Sequence, residues 1–117
     1  MEKTNPVLKK TIRRLEEKGR KDDVDLWKEV ARRLKRPRRK NKPVNLAKIN
    51  RHVEDGETVL VPGKVTGYGN LEKSVSVAAL GFSRDARDRI EEDGETKDIL
   101  ELLEENPKGE NVRILEG

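Results

Sequence analysis

The chain has 117 residues, enough for one domain with one modest core but not for a two-domain enzyme with a cleft between its lobes. Charged residues make up 43% and hydrophobic ones only 32%, which is close to the composition at which chains fail to bury enough apolar surface to fold. Cysteine is absent and His52 is the single histidine, which excludes a disulfide framework, a zinc ribbon and a thiol nucleophile.

No stretch approaches the roughly 20 apolar residues of a membrane-spanning helix, and the opening residues lack the apolar run of a signal peptide. The expectation is a soluble, cytoplasmic protein with no membrane partner. The formal charge of +4 conceals a strong asymmetry. Residues 1–51 carry 19 Lys or Arg against 7 Asp or Glu, a net +12, whereas residues 52–117 carry 8 against 16, a net −8. A concentrated positive field attracts a polyanion and speeds its encounter with the protein.

Asn5-Pro6 predicts an extended entry, because the residue before proline is pushed out of the helical region. Leu8, Ile12 and Leu15 then share one helical stripe, with Gly19 as the predicted stop. A second helix follows, with Asp22 or Asp23 as its cap and Trp27, Val30, Ala31 and Leu34 as its buried stripe. At 100° per residue, Lys28, Arg32, Lys35 and Arg36 fall roughly 80° to 180° from Trp27, on a face turned away from the core. Pro37 ends this helix, and residues 38–43 read as an exposed loop or arm, of which 38–42 are expected to be poorly ordered when free and fixed on binding. Asn45 caps a short third helix with Leu46, Ile49 and Val53 inward and Lys48 and Arg51 outward.

Beyond Asp55-Gly56 the period changes from helical to extended. Residues 58–61 read as a buried strand, residues 62–69 as a glycine-rich loop with at most a brief strand at 64–66, and residues 74–80 as a central strand. Ser83 caps a fourth helix carrying Ala86 and Ile90 and stopped by Gly94. Thr96 or Asp98 begins a fifth with Ile99, Leu102 and Leu103, which Asn106-Pro107 stops, and residues 112–115 offer a last strand. This order predicts an α/β domain of short, partly parallel strands preceded by a basic helical N-terminal extension. The whole of 1–117 is read as a single domain, with 1–51 the basic helical extension and 52–117 the acidic α/β core.

The run Lys35-Arg-Pro-Arg-Arg-Lys-Asn-Lys42 holds six cations in eight residues: Lys35, Arg36, Arg38, Arg39, Lys40 and Lys42. It continues the basic face of the second helix and precedes Lys48 and Arg51, while Lys9 and Arg13 extend the surface onto the first helix. Phosphate contact is the functional reading: each neutralised phosphate releases counterions, and arginine presents a forked donor set that matches phosphate oxygens. A solvated surface loop is the bland one.

Asn, Gln and Ser, which accompany Arg in reading base edges, are nearly absent from the second helix, so readout of a DNA groove is disfavoured. With three aromatic residues, one of them on a core stripe, a binder built as a base-stacking platform is disfavoured as well. Folded RNA recognised through backbone and shape fits best. The alternative is a chromosomal or regulatory DNA-binding protein using the same surface.

The Gly63-Lys64 loop lacks the helix that a nucleotide-binding glycine motif needs, so close approach of Lys64 and backbone to a phosphate competes with a plain turn. His52, Glu54, Asp55 and Glu57 sit at a turn with no second histidine or thiol, which argues against catalysis or a metal site. No catalytic residue, cofactor, metal or small-molecule substrate is expected.

Lys3-Thr-Asn-Pro6, Arg36-Pro-Arg-Arg39 with Val44-Asn-Leu46, Val61-Pro-Gly-Lys-Val65 with Gly67 and Gly69, and Val77-Ala-Ala79 leading to Phe82-Ser83 occur in one order along the chain. In that order they resemble the archaeal and eukaryotic large-subunit ribosomal protein L eighteen-e family, related to the C-terminal part of bacterial-type ribosomal protein L fifteen. The resemblance implies an irregular α/β fold of stacked strand–helix units. It further implies binding to large-subunit ribosomal RNA beside neighbouring ribosomal proteins, and RNA contacts at Asn5, Arg36, Arg38, Arg39, Asn45, Gly63, Lys64 and Gly67. Thr66 and Tyr68 depart from the family pattern, which leads one to expect Leu and a small residue there.

Overall fold

The computed structural model describes residues 6–36 and 42–117. Its elements run α1 (Pro6–Lys21), α2 (Asp25–Leu34), β1 (Val44–Asn45), α3 (Leu46–His52), β2 (Thr58–Thr66), β3 (Ser76–Phe82), α4 (Arg84–Asp93), β4 (Glu95–Asp98), α5 (Ile99–Glu105) and β5 (Val112–Ile114). The strands form one sheet in the order β1-β2-β3-β4, with β5 also on β2, and every pairing among the described residues is parallel.

Alternation along β2 and β3 sends side chains to two separate cores. Val59, Val61, Val65, Val77 and Ala79 meet Leu46, Ile49 and Val53 from the α3 segment, and Ala86 and Ile90 from α4. Leu60 and Ala78 point the opposite way and meet Leu15 of α1, Trp27, Val30, Ala31 and Leu34 of α2, and the apolar stripe of α5. Covering both faces is what an all-parallel sheet requires. The basic N-terminal helices therefore supply two of the three helices of one covering layer, with α5 the third, and share its core. Trp27 locks them further by donating its indole N–H to the Pro107 carbonyl at 2.7 Å.

Several local expectations are realised. Asn45 accepts from the Lys48 amide at 2.9 Å, Ser83 accepts from the Ala86 amide at 3.2 Å, and Asp98 forms a capping box with Glu101.

Others are corrected. The N-cap of α2 is Val24, without a side-chain bond, because Asp23 adopts φ +54° and turns its carboxylate to Lys28. Helix α1 runs through Gly19 to Lys21. Gly19 is the crossing point, where an added Cβ would lie 2.8 Å from Lys28 Cγ and 3.2 Å from the Lys28 amide nitrogen. The supposed 62–69 loop is largely strand, since β2 continues through Pro62 and Gly63, both buried, to Thr66.

Pro62 is tolerated because it falls at a register shift against β3, between Val61 and Lys64. It also lies in the gap between the β5 pairing at residues 58–60 and the β1 pairing at residues 65–66. Strand β4, Glu-Thr-Lys-Asp, was not expected at all. Its residues are polar because it is an edge strand, and Lys97 lays its stem along the protein while Glu95 and Glu105 hold its ammonium.

Gly94, between α4 and β4, has extended backbone but no room: a Cβ there would lie 2.0 Å from the Val75 carbonyl oxygen. Gly94→Ala is expected to destabilise the fold by about 1–3 kcal/mol or more. A lowered urea midpoint at unchanged m-value is the expected reading, and an unchanged midpoint would refute the close approach.

Candidate nucleic-acid interface

The outward face of α2 carries the expected cations, but they are paired within the chain. Lys28 binds Asp23 at 2.8 Å and Asp25 at 3.8 Å. Arg32 grips Glu29 with two bonds, at 3.0 and 2.6 Å, and Arg33 adds a third to the same carboxylate at 2.6 Å. Arg33 also reaches Glu116 at 2.7 Å, Arg36 binds the other oxygen of that carboxylate, and Lys35 pairs with Glu16 of α1. The spacing of Glu29 from Arg32 and Arg33 was legible as a helical i, i+3 and i, i+4 contact. Glu116 lies at the far end of the chain, and nothing local to residue 36 points to it.

A second group of cations has no described carboxylate within ion-pair distance: Lys9 and Arg13 on α1, Lys42, Lys48 and Arg51 around α3, and Lys64 on β2. Leu8 near the start of α1, Arg36 just beyond α2, Pro43 before β1 and Lys64 line one groove with Leu80 at the carboxyl end of β3. The fold thereby gathers part of the basic surface at the carboxyl end of the sheet, where open parallel sheets commonly place their binding surfaces. Asn5, Arg38, Arg39 and Lys40 lie outside the described residues.

Asn45 and the two predicted loop glycines have structural employment. Asn45 spends its side-chain oxygen on the α3 cap, and Gly63 is buried inside β2. Gly67 lets the chain pass α4, where a Cβ would lie 2.7 Å from Asp85 Cβ and 3.2 Å from the Ala86 amide nitrogen.

The acidic turn is similarly occupied. Asp55 accepts from the Ser74 amide at 2.8 Å, and Glu57 accepts from the Glu54 amide at 2.6 Å while its other oxygen meets Arg113 at 3.3 Å. The Glu54 amide, and then the Arg113 guanidinium, hold the Glu57 carboxyl below its ordinary range. Among the described residues no group of three or more His, Asp or Glu is placed to hold a metal ion, and no helix is long and apolar enough to cross a membrane.

The family described as "Ribosomal protein 60S L18 and 50S L18e" matches residues 2–117. The chain belongs to this family. Its L18e-type relatives include proteins named "Large ribosomal subunit protein eL18" from three archaea. That of Methanothermobacter thermautotrophicus is 52% identical over 115 residues, covering 97% of this chain and 95% of the relative. Those of Methanoregula boonei and Haloarcula marismortui are 47% identical over 116 residues and 44% over 115, each covering 98% of this chain and 96% and 99% of the relative.

The Glu29 pairs on α2 contribute to the acid response of this L18e-family chain, beside the lowered carboxyls of Asp22, Asp23 and Glu57. The hydrogen bonds from Arg32, and then from Arg33, lower Glu29 from the ordinary glutamate value of 4.5 to about 2. A depressed carboxylate contributes stability that is fully present above about 4.5 and disappears as the pH falls through about 2. The melting temperature is expected to fall across that window, and Glu29→Gln to flatten the fall. High salt should shrink the difference between the two proteins, because the pair is on the surface. Parallel pH profiles for both proteins would contradict the assignment.

Proposed function

We propose that this chain is a structural constituent of the large ribosomal subunit that binds and stabilises folded ribosomal RNA through phosphate-backbone contacts, beside neighbouring ribosomal proteins. The observation that carries this reading is the family match along residues 2–117, joined by archaeal relatives that are named as large-subunit proteins and align over nearly their full length. The role is structural rather than catalytic.

The proposed surface comprises Asn5, Lys9, Arg13, Lys28, Arg32, Lys35, Arg36, Arg38, Arg39, Lys40, Lys42, Asn45, Lys48, Arg51, Gly63, Lys64 and Gly67. Within it, the cations without a described carboxylate partner contribute most of the net field, and the paired ones of α2 contribute donors held in place. Bringing RNA helices together is opposed by phosphate repulsion, and a cationic surface on a rigid support lowers that cost while releasing counterions. The chain acts as one domain: residues 1–51 face the RNA, and the acidic remainder buttresses them and adds Lys64 to the surface.

The protein is expected to co-sediment with large subunits and to leave them at high salt. Lys9, Arg13 and Lys64 changed together to Ala should weaken binding to large-subunit RNA. The same change should reduce the slope of log affinity against log salt by up to about 2.7, at 0.9 per lost phosphate contact. Lys28 and Arg32 changed together should reduce it by less per residue, because each is already held by a carboxylate of its own chain and so neutralises less phosphate charge. Equal reductions per residue would place paired and unpaired cations on the same footing and overturn that division. Preference for duplex DNA over ribosomal RNA at fixed salt would overturn the functional reading itself.

A further inference from the structure

The chain has one tryptophan, one tyrosine and one phenylalanine, and their environments differ sharply. Trp27 is buried in the core and spends its N–H on Pro107. Phe82 packs against the α3/α4 core, with the Arg87 guanidinium 5.1 Å from its ring centroid. Tyr68 is 76% exposed, in the loop that leaves β2 at the carboxyl end of the sheet. Its hydroxyl has no hydrogen-bond partner among the described residues.

A single exposed aromatic ring is ordinary on a protein surface. This one differs in how firmly its backbone is held and in which charges surround it. The Tyr68 carbonyl accepts from the Ala47 amide of α3 at 3.1 Å. Gly67 on one side lies against Asp85 and Ala86 of α4. Gly69 on the other has φ +96° and approaches Ala47 so closely that a Cβ would lie 2.5 Å from the Ala47 Cβ. Farther along the loop, the Glu72 amide is bonded to Asn50 Oδ1 at 2.9 Å and the Lys73 ammonium to the Asn50 carbonyl at 2.7 Å. The loop backbone is thus bonded to α3 at Tyr68 itself and again at Glu72, with Gly67 and Gly69 closely packed on either side of the ring, so little of its freedom remains to be lost on binding.

The charges on the two sides of the loop are opposite in sign. On the α3 side stand Lys48, next to Ala47, and Arg51, neither with a described carboxylate partner. On the α4 side, Asp85, Asp88 and Glu92 line the hollow beside Gly67, relieved only by Arg89. A ligand carrying both a flat ring and a phosphate is oriented by such a field: the phosphate is drawn toward α3 and kept off α4.

We propose that Tyr68 stacks on the base of an unpaired nucleotide of ribosomal RNA whose phosphate is held on the α3 side by Lys48. This rests on the reading that the chain binds ribosomal RNA, and it adds a single stacking contact to a surface otherwise made of phosphate contacts. Stacking tolerates any base, because every base has a π face, and it neutralises no phosphate. Loss of the ring therefore lowers affinity without altering the dependence on salt, which separates it from loss of a cation.

The test compares the full-length chain with its Tyr68→Ala and Tyr68→Phe variants in binding to transcribed large-subunit ribosomal RNA over a salt series. Fluorescence of the buried Trp27 verifies that each variant is folded. Tyr68→Ala is expected to weaken binding between about 5-fold and 100-fold at an unchanged salt slope, with Tyr68→Phe within about 2-fold of the parent. Ultraviolet irradiation of the parent complex is expected to attach a nucleotide to the peptide containing Tyr68. Tyr68→Ala binding within about 2-fold of the parent, or a loss that appears as a reduced salt slope, would overturn the stacking contact and leave the proposed function standing. A parent chain that does not bind this RNA at all would overturn both.

Discussion

Strand β2 is the member on which the other elements depend. It pairs with β3 along most of its length and with β5 and β1 in succession on the opposite edge, so three of the four remaining strands are registered against it. Its side chains divide between the two cores, Val59, Val61 and Val65 on one face and Leu60 on the other. A strand placed this way must be apolar on both faces, and its neighbours must supply helices for both. The short apolar run at residues 58–61 is therefore the seed of a three-layer arrangement in which α1, α2 and α5 cover one side and α3 and α4 the other. The basic N-terminal helices acquire a fixed position from this requirement, since without α1 and α2 the Leu60 face of β2 would be open to water.

The elements legible in the sequence are those with a strong local signature. Trp27, Val30, Ala31 and Leu34 recur at helical spacing and are all buried, and Asn45, Ser83 and Asp98 cap the helices their positions suggested. What escaped was decided by partners far along the chain. Gly19 looks like a helix stop, but the α2 backbone crosses it and only a residue without a side chain fits. Pro62-Gly63 looks like a turn, and becomes strand because the neighbour on that edge changes from β5 to β1 beside it. Strand β4 has no apolar pattern to announce it; its hydrogen bonds to β3 exist because α4 returns the chain to that edge. Within the candidate interface, the outward direction of Lys28, Arg32, Lys35 and Arg36 was legible from helical geometry. Their pairing to Glu116 and Glu16 was not, because it depends on tertiary approach.

Those pairs explain how so charged a chain folds around so few apolar residues. Helix α2 carries Lys28, Arg32 and Arg33, with Lys35 and Arg36 immediately after its last turn, and unrelieved repulsion among the five would work against the helix. Glu29, Glu16, Asp23 and Glu116 absorb that repulsion, and the last ties the C-terminal segment to the end of α2. Each such surface pair contributes little by itself. Their joint effect is on geometry, because a guanidinium shared between two carboxylates, as that of Arg33 is, has few rotamers left.

Pairing removes net charge from α2 without removing its capacity to donate. Arginine carries five N–H donors, and Arg32 commits only its Nε and Nη2 groups to Glu29, so the remaining donors are available on the outward side. Under the proposed function the two kinds of cation have different duties. Lys9, Arg13, Lys48, Arg51 and Lys64 supply the field that draws a polyanion in and the counterion release that accompanies binding. Arg32 and Arg36 supply donors whose directions are set before the RNA arrives, so less rotamer entropy is lost on contact. A surface made only of free lysines would bind polyanions but would hold none of them in a particular orientation. A surface made only of compensated arginines would orient a phosphate it had little field to attract. The arrangement across α1, α2, α3 and β2 combines the two, and folded RNA is the polyanion whose fixed phosphate positions make such a combination useful.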